Sequence, residues 1–140
     1  MSRRCCILAE ESEISTIKRL FSTYMDKMVQ GGVKYHRKKL QYGDRYMIHI
    51  AVCDDDIQLC SQLEDYIKKW KEKRKLEVEV FNTGREFEKA LRERYFDLIF
   101  LDIVMKDCSG IELSRFIREE LGNDTSMIVY MSGYGDEYAL

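Results

Sequence analysis

The chain has no proline among its 140 residues, so every turn must rest on Gly, Asn, Asp or Ser. Long hydrophobic runs are missing as well. Nothing approaches the roughly 18 or more apolar residues of a membrane span. The apolar stretch near the N-terminus ends at Glu10 and is too short for a secretory signal, which needs about 7–15 apolar residues. Neither charge sign dominates: 23 Lys and Arg against 25 Asp and Glu give a formal net charge of −2. That balance gives no general reason to expect a membrane or a nucleic acid as partner. The five cysteines, Cys5, Cys6, Cys53, Cys60 and Cys108, are odd in number and show no CxxC spacing. The pattern argues against a zinc or redox motif and fits small thiols in a reducing cytoplasm. No Gly-rich loop ends in Lys-Ser or Lys-Thr, so a P-loop is excluded.

What is present is an alternation of strand and helix patterns from Met47 onward. Hydrophobic residues make up 45% of the chain, enough for a core in one domain of ordinary size. Ile48 to Cys53 is a near-continuous apolar run, as expected of a strand buried on both faces. Cys60, Leu63, Ile67 and Trp70 then mark one helix face. Glu77 to Phe81 alternates, predicting a half-exposed edge strand. Thr83-Gly84-Arg85-Glu86 is a capping box that opens a helix carrying Phe87, Ala90 and Leu91. Leu98 to Ile103 is a further buried strand. Ser109-Gly110-Ile111-Glu112 caps a helix with Leu113, Phe116, Ile117 and Leu121, which Gly122-Asn123 ends. Met127 to Met131 is the fourth strand. The βαβαβαβ order predicts a doubly wound parallel α/β sheet with helices on both faces.

Residues 1–46 read differently, as an N-terminal extension to the 47–140 domain. Ile14, Ile17, Phe21, Tyr24 and Met28 recur at spacings of three and four, predicting an amphipathic helix over about 10–29. A basic linker follows Gly31-Gly32, with Lys34, His36, Arg37, Lys38, Lys39 and Arg45. The helix needs cover for its apolar face, from the rest of the chain or from another subunit. A plainer alternative is that Met47 is the natural start and the upstream residues have no role in the fold.

Polar residues follow the strands directly: Asp54, Asp55 and Asp56 after the first run, Asp102 after Leu98–Leu101, and Ser132 after the fourth strand. Functional groups gather at the carboxyl ends of such strands. Packed carboxylates repel one another, and a hard divalent cation with oxygen ligands relieves the repulsion. Mg²⁺ fits, because it binds one or two carboxylates and favours phosphate as a co-ligand. One acid is then a nucleophile toward phosphorus, and Ser132 offers a hydroxyl to a phosphoryl oxygen. For Asp54 to Asp56 alone, a charged loop or a helix cap is the competing reading. An aspartyl phosphatase would need a second acid two residues after Asp102, where Val104 stands.

IHIAVCDDD, FDLIFLDIVMKDCSGIEL and MIVYMSGY together resemble the receiver domain of bacterial two-component response regulators over residues 47–140. The resemblance implies a flavodoxin-like fold of sheet order 2-1-3-4-5. It assigns Asp54 and Asp55 as the acidic pair for Mg²⁺, Asp102 as phosphoacceptor, the Val104 carbonyl as a further metal ligand, Ser132 as the switch hydroxyl and Gly110 as the glycine opening the third helix. It implies a regulatory phosphoacceptor rather than an enzyme, phosphorylated by a sensor histidine kinase and acting toward transcription. DNA contact would come only through an output domain that is not visible here. The wording around Cys53 and Tyr134 to Leu140 is most similar to LytTR-type or sporulation stage-zero-regulator-like members.

Three departures stand out. Lys106 and Ile57 replace frequent prolines. The family would also continue past Leu140 with a fourth helix, a fifth strand carrying a phosphate-pairing lysine, and a fifth helix. The expected sheet is therefore 2-1-3-4, C-terminally truncated, with an N-terminal helical extension. Its fourth strand is expected to be an unpaired apolar edge prone to self-association, either there or through the N-terminal helix. A non-phosphorylated remnant acting as a protein interaction module is the alternative function.

Overall fold

The computed structural model describes residues 6–10, 14–29 and 47–132. Five parallel strands form one sheet: β1 (Cys6–Glu10), β2 (Ile48–Cys53), β3 (Leu76–Phe81), β4 (Leu98–Asp102) and β5 (Met127–Ser132), in the order β1-β5-β4-β2-β3. The helices are α1 (Ile14–Val29), α2 (Ile57–Lys68), α3 (Gly84–Glu93) and α4 (Gly110–Arg115). A 3₁₀ turn (Lys69–Glu72) extends α2, and a π-helical turn (Phe116–Glu120) extends α4. The four strands after Met47 keep the expected 2-1-3-4 arrangement, and helices cover both faces.

The caps predicted from the sequence are formed. Thr83 Oγ1 accepts from the Glu86 amide at 3.2 Å, and Ser109 Oγ accepts from the Ile111 amide at 3.2 Å. Gly122, at φ +61°, stands just past the last helical turn, in a conformation that glycine adopts without a Cβ penalty.

Two expectations are corrected. The first concerns β5, which is not an unpaired edge. β1 runs parallel to it in register from Cys6↔Ile128 to Glu10↔Ser132, so this edge is paired from the N-terminal side. The second concerns the first helix, which begins at Ile14 and not near residue 10. The apolar run from Cys6 to Ala9 enters the sheet instead, where both strands' backbone groups find partners. That run has the length and apolar character of a strand, the same signal that marks β4, although no strand was expected on the N-terminal side of Met47.

α1 is part of the core, not an appendage. Ile17, Phe21 and Met25, four residues apart, are at most 1% exposed. They pack in one cluster with Ile50 and Val52 of β2, Leu63 and Ile67 of α2, Phe100 of β4 and Val129 of β5. The Phe21 ring meets Tyr66, Trp70 and Phe100 at centroid distances of 6.1, 6.0 and 6.2 Å. Ser22 shares a hydrogen bond with the Tyr66 hydroxyl, and the Lys18 ammonium lies 5.3 Å from the Tyr66 ring centre. Burial of each such apolar side chain contributes roughly 1.5–3 kcal/mol. The opposite face is a second cluster, in which Phe81, Phe87 and Phe96 pack with Ile99, Leu101 and Ile117. The basic linker, Gly31-Gly32 and the segment from Gly133 to Leu140 lie outside the described residues.

Two constraints fix the upper end of the sheet. At Gly110 an added Cβ would stand 2.0 Å from the Asp102 carbonyl oxygen and 3.1 Å from the Ile103 Cα, so only glycine allows the start of α4 to pack on the end of β4. The thiols below are sealed. Burial first, and then the neighbouring Asp54 carboxylate, push Cys60 up to about 12, and burial also raises Cys53.

Three outcomes follow from this packing. Phe21→Ala is expected to lower stability by about 3–5 kcal/mol, read as a fall in the urea midpoint; an unchanged midpoint would remove α1 from the core. Gly110→Ala is expected to cost about 1–3 kcal/mol by overpacking and to displace the Asp102 loop, seen as shifted amide resonances at residues 102–105. The third concerns pH. A raised Cys60 thiol contributes stability that is fully present below its ordinary value of 9.0 and is lost as pH climbs from there toward about 12. Wild type should therefore lose more stability than Cys60→Ala on going from pH about 8 to about 10, and parallel profiles would refute this.

Candidate functional site

The carboxyl ends of β2 and β4 are neighbours, because Cys53 pairs with Leu101 in the ladder. Each strand delivers an acid there. Asp54 follows the last residue of β2, and Asp102 is the last residue of β4. Both are buried, at 1% and 4% exposure, while Asp55 is half-buried. One carboxylate oxygen from each of Asp54, Asp55 and Asp102 lies within 4.8 Å of the others.

Backbone amides orient all three side chains. Asp54 Oδ1 accepts from the Asp56 amide at 2.8 Å. Asp55 Oδ2 accepts from the Lys106 amide at 3.0 Å, and Asp102 Oδ1 accepts from the Val104 amide at 3.2 Å. The bond to Asp55 gives Lys106 a physical role, since proline has no N–H to donate. Asp56 does not join the cluster. Its Oδ1 accepts from the Leu59 amide at 3.1 Å and caps α2, so the cap reading holds for this one residue of the three.

The loop after β4 is tied at several points. The Ile103 amide bonds to the Met131 carbonyl at 3.0 Å, and the Gly110 amide bonds to the Ile103 carbonyl at 2.9 Å. Val104 is exposed and forms an isolated bridge with Ser109. Asp107 Oδ1 and Oδ2 accept from the amides of Gly84 and Arg85, each at 3.0 Å. The Gly84 amide bond chiefly holds this carboxyl below the usual range. Ser132 closes β5, one position beyond Met131, the register partner of Asp102. Its hydroxyl lies outside what the structure describes.

Sequence reasoning missed some of this support. Asn82 Nδ2 donates to the Asp54 carbonyl at 3.1 Å, and the Cys60 thiol donates to the same oxygen at 3.4 Å. Asn82 follows β3, so its place just past a strand end was the available signal. Burial alone would mislead. Asp97 is also buried, but it precedes β4 and takes the His49 amide on Oδ2 at 2.8 Å, at the opposite end of the sheet.

The cluster suits a hard divalent cation. Its donors are all carboxylate oxygens, two of the three acids are buried, and their mutual repulsion is relieved by positive charge. Among the described residues, no helix is long and apolar enough to cross a membrane.

Comparison with known proteins agrees with this geometry. The family described as the response regulator receiver domain matches residues 50–140. Curated relatives include the transcriptional regulatory protein ZraR of Escherichia coli O157:H7, 35% identical over 71 residues that cover 51% of this chain and 15% of that protein. ZraR of Klebsiella oxytoca is 31% identical over 87 residues, covering 62% of this chain and 18% of the relative. The chain thus spans less than a fifth of the length of these relatives. Among solved structures, the Thermotoga maritima response regulator TrrA in complex with Mg²⁺–BeF aligns with a TM-score of 0.55 and 26% identity, over 64% of this chain and 72% of that one. The Vibrio cholerae chemotaxis protein CheY4 aligns with a TM-score of 0.54 and 22% identity, over 61% of this chain and 68% of that one, a likeness of fold alone. With well over half its length matched, this chain belongs to the response regulator receiver domain family.

Proposed function

We propose that this receiver takes a phosphoryl group on Asp102 from a sensor histidine kinase and changes conformation in response. The observation that carries the reading is the convergence of Asp54, Asp55 and Asp102 within 4.8 Å at the ends of adjacent strands. A bound Mg²⁺ would neutralise charge on the incoming phosphoryl group. Asp54, Asp55, Asp102 and the Val104 carbonyl would hold it. An Asp102 carboxylate oxygen forms the new bond to phosphorus, and the bond from phosphorus to the donor breaks, its electron pair leaving with the donor. The Val104 amide keeps the Asp102 side chain oriented throughout. Ser132 is the hydroxyl that answers the new phosphoryl oxygens. Residues 47–140 carry this chemistry, and β1 and α1 complete the sheet and core beneath it.

The domain is a regulatory phosphoacceptor that acts on itself and not on a pool of substrate. It works in the cytoplasm and reaches DNA through an output domain of LytTR or stage-zero-regulator type. A second reading is a non-phosphorylated interaction module. It is favoured by Glu10, which the register places beside Ser132, because an acid at that end of the sheet opposes an incoming phosphoryl group.

Incubation with acetyl phosphate and Mg²⁺ is expected to add one phosphoryl group at Asp102, seen by intact mass and peptide mapping. Chelation of the metal or Asp102→Asn should abolish the gain. No label under conditions that label a complete receiver would overturn the reading. If Asp102→Asn also left partner binding unchanged, the interaction module would take its place.

A further inference from the structure

β1 brings a charged residue to the acidic end of the sheet. Glu10 pairs in register with Ser132, and Asp102 pairs with Met131, so Glu10 lies two strands from Asp102 and one residue further along. Two strand spacings put the two backbones roughly 10 Å apart. That separation is about one Debye length at physiological salt. Two of the three clustered carboxylates are buried, so water screens their charge less than it would in bulk.

We propose that Glu10 is an electrostatic positioning residue for this site, which retains the divalent cation more tightly and opposes accumulation of the phosphoryl group. This deepens the proposed role of Asp102 as phosphoacceptor and rests on it. The two effects have one cause. A carboxylate at the Glu10 position attracts a dication and repels a phosphoryl dianion. The argument needs only the charge and its register position, not a direct contact. N-terminal residues thus contribute to the chemistry as well as to the fold.

The opposite signs provide the test. With Mg²⁺ titrated calorimetrically into the full chain at low ionic strength, Glu10→Gln is expected to bind the cation about three- to ten-fold more weakly. At saturating Mg²⁺ and acetyl phosphate, the same variant should carry a larger phosphorylated fraction than wild type, with slower loss after donor removal. Glu10→Lys should move both quantities further in the same directions. Added salt should shrink the differences.

A merely structural role would weaken both functions together, and that result overturns the proposal. So does an unchanged cation affinity. Failure of the chain to become labelled at all would sink the phosphoacceptor reading instead. The shift in cation affinity would still decide whether Glu10 acts on the cluster.

Discussion

The ladder along β5 is the constraint on which the rest of the structure depends. A parallel strand buried on both faces has to satisfy its amides and carbonyls on two flanks at once. β4 does this on one side and β1 on the other, each over five residues. The ladder has a packing counterpart. Val129 and Met131 of β5 share a cluster with Ile17, Phe21 and Met25 of α1, so the unit that closes the edge also covers one face. The opposite face is closed by α3, with Phe87, and by α4 and the turn that extends it, with Phe116. With both flanks fixed, the register sets which residues stand at the top of the sheet.

That register creates an electrostatic problem at the same end. Three carboxylates with oxygens within 4.8 Å repel one another, and two have little water to screen them. The fold offsets part of the penalty with oriented backbone donors from three loop positions, Asp56, Val104 and Lys106. Amide donors supply partial positive charge without a mobile side chain, so the carboxylates stay aimed even though their charges oppose the arrangement. The remaining repulsion is what makes the site receptive to a divalent cation.

Much of this was legible in the sequence because the signals are local. Apolar runs of four to six residues marked β2, β4 and β5, alternation marked β3, and two capping boxes gave the starts of α3 and α4 to the residue. The acids were legible for the same reason, since a side chain just past a buried parallel strand has only one end of the sheet to occupy. What could not be read was the partner of β5. Cys6 to Ala9 is as apolar and as long as the run that marks β4, but a chain segment that reaches its place in the sheet from the N-terminal side violates the order the family resemblance suggested. The division of labour within Asp54-Asp55-Asp56 was likewise hidden. It depends on where α2 starts, and only the hydrogen bond to the Leu59 amide separates the cap from the two acids of the cluster.

The loop after β4 links charge to shape. Val104 and Lys106 donate their amides to different acids, one on the same strand end and one on the neighbouring loop. The next residue, Asp107, reaches across to the amides that begin α3, and Gly110 packs against the Asp102 carbonyl. A change in charge at any of the three carboxylates therefore alters the pull on backbone that also sets the start of two helices. Side chains in a packed core resist small displacements, because interiors have few voids into which to relax. Val104, Lys106 and Asp107 are the exposed residues of this loop, whereas Ile103 and Met105 are buried. Displacement of this loop is therefore easier at its exposed positions than through the buried sheet below.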